Sequence, residues 1–280
     1  MYKAKFVSDT GREFVFSYEN GVIFDISELS GVSVSLSTSQ GFGQYGETIE
    51  GKTVAGFQRT INGKFLNNRE YNKRNMLAVF APLTDGKLYF NDEYYCECSV
   101  AETPLLGVSE PSFFITLYCA YPFWLKSTES NFALGGYTPA FRFPVNYAQP
   151  HRFGIKNPTA YVNCVNNGVV DAPYSVRFTA DATVKNYGIV NPVTLKFLKI
   201  NDTIEIGEEV NVYRKNGKLY VEKNKDRVTS SIFAKLDEDT DLFYMAVGNN
   251  PINAIADSGK DNLKVSIVFN DSFSGVYDGM

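Results

Sequence analysis

From Tyr161 onward the chain repeats one pattern: short segments that alternate apolar and polar residues, broken at even spacing by Gly, Asn, Asp and Pro. Tyr161–Val165, Tyr174–Thr179, Val193–Ile200, Thr203–Ile206, Glu209–Arg214, Lys218–Glu222, Leu242–Val247 and Leu263–Phe269 all read this way, and helical periodicity is absent. Alternation with period two belongs to a strand with one buried face. Strands of this number and spacing predict a β-sandwich or jelly roll. Asn216-Gly217, between two of them, predicts a two-residue hairpin.

The first half is also strand-like but carries one helix. Lys3–Val7 and Glu13–Ser17 flank Asp9-Thr-Gly11, a hairpin signal, and Val22–Phe24 and Val32–Leu36 follow. Arg69–Phe80 reads as a helix capped by Asn67 or Asn68 and stopped by Pro82, with Tyr71, Met76, Leu77 and Phe80 sharing a face. Lys87–Phe90, Tyr94–Val100 and Ser112–Ala120 are again rich in aromatic and β-branched residues. At 280 residues, 44% hydrophobic, the chain is long enough for two domains with separate cores. The polar, Gly-bearing stretch KSTESNFALGGYTP after the aromatic run YCAYPFW marks the boundary, giving domains 1–130 and 131–280. The expected fold is mostly β: an N-terminal β-sandwich with one helix and a C-terminal sandwich.

Gly41–Thr53, GFGQYGETIEGKT, spells two nucleotide patterns, G-x-G-x-x-G and G-x-x-x-x-G-K-T. Each carries chemistry only where a buried strand enters a tight turn and a helix leaves it, so that N–H groups and the positive helix end face phosphate. Here no apolar strand leads into Gly46. Downstream, Ala55, Phe57, Arg59 and Ile61 fit a strand ending in an Asn62-Gly63 turn better than Val54, Phe57 and Ile61 fit a helix. The segment is expected to be a glycine-rich loop, with no cofactor bound.

The remaining chemistry is sparse. Cys96, Cys98, Cys119 and Cys164 lack C-x-x-C spacing and read as buried free thiols. The only histidine, His151, has no G-x-S-x-G elbow to serve, and reads as a surface or linker residue. Asp237, Asp239 and Asp241 mimic the start of a calcium loop, but Leu242 and Gly248 stand where it needs Gly and Glu. No catalytic or metal-binding constellation emerges, so the chain is not expected to be an enzyme. A formal net charge of −4 argues against gripping a nucleic acid backbone. No apolar run reaches the roughly 20 residues of a membrane span, and Met1-Tyr-Lys-Ala-Lys lacks the apolar stretch of a signal peptide; folding in a cytoplasm is expected.

A series of short features runs along nearly the whole length: the Gly-rich loop and GFQRTINGKF, the helix with Arg74, Leu77 and Phe80, then Pro82 and Asp85-Gly-Lys-Leu88. TLYCAYPFW and FRFP follow, then Val165-Asn-Asn-Gly168 with Ala172-Pro173, Asn191-Pro192, GEEVNVYRKNGKLYVEK, Val247-Gly248-Asn249 and Phe273-Ser-Gly-Val276. In this order they resemble the distal tail proteins of siphophages, components of the tail-tip baseplate. Asp237–Asp241 departs from the pattern as a loop insertion.

This resemblance implies that the N-terminal sandwich assembles a homohexameric ring and that a galectin-like C-terminal sandwich lies outside it. The ring would join the tail tube protein to the tail-associated hub or fibre protein, with receptor-binding proteins as further partners, and let DNA pass. Its place would be the virion tail tip, after assembly in the bacterial host cytoplasm. Phe42, Gln44, Tyr45 and Lys52 then become candidates for an oligomer interface or lumen loop. Tyr118, Phe123 and Trp124 are expected to be buried where the two domains meet. A carbohydrate-binding module recognising a cell-surface glycan is the alternative; it wants an aromatic ring in a groove, and the only Trp, Trp124, lies in the boundary segment.

Overall fold

A computed structural model describes residues 2–27, 29–107, 109–135, 137–139, 154–156 and 161–276. It is mostly β, built from large antiparallel sheets with one α-helix among the described residues. The chain divides into two compact units, Met1–Thr128 with Ser272–Met280, and Glu129–Asp271. The segment read as a polar connector is in large part a strand, Trp124–Leu134, and the division falls inside it. The last residues return to the first unit, which a single cut at 130/131 does not anticipate.

In the first unit, β1 (Ala4–Ser8) and β2 (Glu13–Phe16) form the predicted hairpin, with Phe6 opposite Phe14. β3 (Val22–Ser27), β4 (Val34–Ser39), β5 (Thr48–Val54) and β6 (Phe57–Phe65) follow, then α1 (Arg69–Val79). β7 (Asp85–Phe90), β8 (Tyr94–Leu106), β9 (Ser112–Cys119) and the start of β10 (Trp124–Leu134) complete it. The ladder runs β2-β1-β7-β8-β9-β6-β3. Long β8 joins the two halves of the ladder: its first half pairs with β7 and its second, from Ser99, with β9. The two ends of the ladder close on one core, where Phe16 lies 5.6 Å from Phe24 and 5.9 Å from Phe113, centroid to centroid. The helix contributes Met76, Val79 and the adjoining Phe80, whose ring stacks on Phe6 at 4.5 Å.

Two local expectations fail here. Asn62-Gly63 is not a turn: β6 runs straight through it, paired with β3 on one side and β9 on the other. Gly63 is required there because the Ile23 carbonyl and the Phe113 ring occupy the space a Cβ would fill. On α1, Met76 and Phe80 are buried but Tyr71 and Leu77 are exposed. The inward face instead includes Asn72 and Lys73. Asn72 donates to the Asn67 carbonyl at 3.2 Å, and Lys73 Nζ donates to the Gly107 carbonyl at 2.8 Å. Asn68 precedes the helix in a left-handed conformation with no side-chain cap bond.

The second unit takes the end of β10, then β11 (Tyr137–Pro139), β12 (Gly154–Lys156), β13 (Val162–Asn166), β14 (Tyr174–Ala180), β15 (Val184–Val190) and β16 (Phe197–Ile204). β17 (Glu209–Lys215), β18 (Lys218–Lys225), β19 (Val228–Ser231), β20 (Gly248–Ser258) and β21 (Leu263–Phe273) finish it. One sheet runs β19-β18-β17-β14-β21-β10 and a second β13-β20-β15-β16. Apolar residues of both, among them Phe178, Tyr187, Ile200, Ile252 and Ile267, form one core. Asn216 (φ 49°) and Gly217 (φ 76°) make the predicted hairpin turn.

Here too the chain departs from the pattern read in the sequence. Parts of Val193–Ile200 and Thr203–Ile206 merge into one strand, β16 (Phe197–Ile204), while residues 242–247 form no strand beyond a bridge from Met245 to Ala172. β15 and β20 escape the pattern. Asp237–Asp241 is a turn in which Asp239 N–H donates to Asp237 Oδ1 at 3.1 Å. Among the described residues no helix is long and apolar enough to cross a membrane.

Candidate assembly surface

The Gly-rich motif forms the tip and second strand of a β4–β5 hairpin that, among the described residues, pairs with no other strand. Val34 lies opposite Val54, Leu36 opposite Lys52 and Ser35 opposite Thr53, with a register shift at Ser37/Thr38. Lys52 and Thr53 are therefore mid-strand residues of a ribbon, and β6, not a helix, follows. The setting that either phosphate pattern needs is replaced by a hairpin.

Gln44 organises the tip. Its N–H donates to the Gly41 carbonyl at 3.1 Å and its Oε1 accepts from Gly41 N–H at 2.9 Å. Its Nε2 donates to Thr48 Oγ1 at 3.0 Å, and Gln40 Nε2 donates to the Gln44 carbonyl at 3.2 Å. Gly43 (φ 75°) and Gly46 (φ 81°) take left-handed conformations. This knot holds the turn while Phe42 and Tyr45 project fully into solvent.

Neither face of the ribbon is packed. Val34, Leu36, Ile49 and Val54 are all exposed, although the alternation of Val32–Leu36 read as a half-buried strand. A two-stranded ribbon without a covered face is marginal in water. Exposed apolar residues concentrated in one such element mark a surface that another molecule covers. Covering Phe42 and Tyr45 would contribute roughly 1.5–3 kcal/mol each.

Of the expected site residues, the structure brings Phe42, Gln44 and Tyr45 together at the tip and sets Lys52 further back on β5. Val34, Leu36, Ile49 and Val54 were missed; the signal for the first two was the strand-like run V-S-L-S-T-S, with only small polar residues between its apolar ones. Tyr118, expected to be buried, is 43% exposed, because β9 alternates and its inward residues there are Leu117 and Cys119. Phe123 is half-buried. Trp124 is fully buried, and its contacts are those of the first unit's own core: Nε1 donates to the Leu29 carbonyl at 2.9 Å, and the Arg59 guanidinium lies 4.5 Å from the ring centroid. The four cysteines are free and buried, with Cys96 and Cys119 sulfurs 3.7 Å apart. His151 lies outside the described residues.

No protein-family model and no curated protein matches the sequence. Solved structures do. The fold matches the crystal structure of SPP1 Dit (gp 19.1), described as a paradigm of the hub adsorption apparatus in phages infecting Gram-positive bacteria. That match covers 96% of this chain and 99% of that one, with a TM-score of 0.62 at 14% identity. The phage P2 baseplate in its activated conformation with Ca matches over 96% of this chain and 98% of the other, with a TM-score of 0.52 at 10% identity. The same baseplate with Sr gives 0.51 at 9% identity, over 96% and 98% of the two chains. At these identities the likeness is one of fold: along its length the chain is built like phage Dit and baseplate proteins.

Proposed function

We propose that this protein is a structural subunit of a phage or phage-like tail tip, and that it forms a hexameric ring between the tail tube and a hub or fibre protein. The observation that carries the reading is the β4–β5 hairpin, an unsupported ribbon with apolar side chains on a chain that otherwise buries its core. Head-to-tail packing of identical subunits uses two different surfaces of each copy, and a projecting arm that lies on its neighbour supplies one of them. The whole-length likeness to a hub protein supports the same reading.

In this reading the role is structural rather than catalytic. The partners are further copies of the chain, the tail tube protein, the hub or fibre protein and receptor-binding proteins. The place is the virion tail tip after assembly in the host cytoplasm. DNA passes through the ring without being held, in keeping with the net charge of −4.

The test is the double substitution Phe42→Ser, Tyr45→Ser, followed by light scattering across a concentration series. Assembly should fall while the unfolding temperature stays at the wild-type value, because neither side chain touches the core. Unchanged assembly would remove the hairpin from the interface.

A further inference from the structure

Three of the four free cysteines converge in the core of the first unit, a grouping to which the tail-tip reading gives no role. β8 carries Cys96 and Cys98 on its inward face, two residues apart, and β9 ends at Cys119. The register explains the meeting. β8 and β9 pair as far as Ser99 opposite Tyr118, which brings Cys119 alongside the Cys98 end of that ladder. Leu125 then lies opposite Tyr95, so β10 takes over as the neighbour of β8 beside Cys96. Cys96 and Cys119 are fully buried, and their sulfurs lie 3.7 Å apart. A disulfide needs about 2 Å, so less than about 2 Å of closure separates the two thiols from a bond.

The cluster is built beside a buried cation. Arg59 of β6 is fully buried, with its guanidinium 4.5 Å from the Trp124 ring centroid and 5.3 Å from that of Phe57. Phe57 pairs with Cys119 across β6 and β9, which sets Arg59 beside that sulfur. The thiols of Cys96 and Cys98 donate to the Cys119 sulfur, and with the Arg59 charge they outweigh burial and hold its pKa down. Burial pushes the Cys96 thiol up. A thiolate in contact with a thiol is the pairing that disulfide chemistry uses, one sulfur attacking and the other resolving. Cys164, in the second unit, is shifted by burial alone, up to about 12, and so serves as an internal control.

We propose that Cys96 and Cys119 form a redox site that closes to a disulfide when a small peroxide reaches the core. The Cys119 thiolate attacks one peroxide oxygen: the S–O bond forms, the O–O bond breaks, and the leaving hydroxide takes the Cys96 proton to become water. The Cys96 thiolate then attacks the sulfur of the Cys119 sulfenic acid. The S–S bond forms, the S–O bond breaks, and the second hydroxide is protonated by solvent. Two electrons pass from the sulfur pair to the peroxide; two thiols and one hydrogen peroxide become one disulfide and two waters. Hydrogen peroxide is little larger than water, so local opening of the strand ends admits it. The bond staples the end of β9 to β8 where β8 passes from one half of the ladder to the other. This inference stands apart from the ring, since it uses no residue of the hairpin.

The test is peptide mapping of the full chain by mass spectrometry. The chain is reduced, freed of reductant and treated in its native state with hydrogen peroxide, at a dose that oxidises free cysteine completely. It is then alkylated in denaturant without further reduction. A peptide pair joining Cys96 to Cys119, lighter by two hydrogens, should appear, and half of the four thiols should be lost. Cys98 and Cys164 should still alkylate, and dithiothreitol should restore all four thiols. Oxidation in urea, which dissolves the register, should scatter the product over other pairs. Cys119→Ser should leave no internal cross-link; because a core substitution can disturb folding, the wild-type map decides. The proposal is overturned if the native chain keeps all four thiols, if Cys119 links to Cys98 or to a second chain, or if its sulfur oxidises without forming a bond to Cys96.

Discussion

Trp124 is fixed by complementary contacts at each part of its side chain. Its indole N–H reaches the Leu29 carbonyl, the Arg59 guanidinium covers its face, and Arg59 in turn donates to the Pro122 carbonyl at 2.7 Å. Trp124→Ala removes the ring and its hydrogen bond to the Leu29 carbonyl, and should cost about 3–5 kcal/mol in urea unfolding; a cost below about 1 kcal/mol would contradict its place in the core. Glu208 gives a pH-dependent counterpart. Burial opposes its ionisation, but Lys223 at 2.8 Å, Lys225 at 2.9 Å and the Glu205 N–H at 3.0 Å outweigh it and hold its pKa down to about 2. Because the folded value lies below the ordinary one of 4.5, the stabilisation is complete above pH 4.5 and is lost as pH falls towards 2. Urea midpoints of Glu208→Gln should therefore fall less steeply than wild type across that window; parallel curves would contradict the network. Such residues were only half legible in the sequence. A lone Trp in an aromatic run announces burial, but nothing in YCAYPFW says which core receives it.

Among the elements, those whose burial alternates with the chain were readable and those governed by their partners were not. β1–β2 and the Asn216-Gly217 hairpin follow from turn chemistry and period two. β20 hid because its sequence GNNPINAIADS is poor in β-formers; Pro251 is tolerated because pairing with β15 begins only at Asn253. The helix was found but turned wrongly, since Asn72 and Lys73 look like solvent residues until the carbonyls of Asn67 and Gly107 satisfy them. The β4–β5 ribbon was read as a strand plus a loop because its glycines mask a long pairing. Since it pairs with no other strand among the described residues, replacing residues 34–54 by a short Gly-Ser linker should leave the first unit's unfolding cooperative and near wild-type temperature while abolishing the proposed assembly. Loss of the cooperative transition would show instead that the ribbon supports its own unit.

At the scale of the whole molecule, fold and assembly were legible to different degrees. The order of short motifs resembled a tail-tip family, and the whole-length structural likeness agrees in fold. The proposed ring is not written in any single residue, because an interface between copies would look, in one chain, like misplaced apolar surface. If the ring is a passage, its wall must release phosphate, so filter binding of duplex DNA at physiological salt should be no stronger than the weak non-specific background; tight, salt-sensitive binding would contradict the acidic balance of the chain. The most direct test of the central claim is negative-stain microscopy of the purified protein, alone and with its tail-tube or hub partner, alongside light scattering of the same samples. The account predicts six-fold rings with an open centre, formed alone or on adding a partner. A strict monomer under every one of these conditions would contradict it.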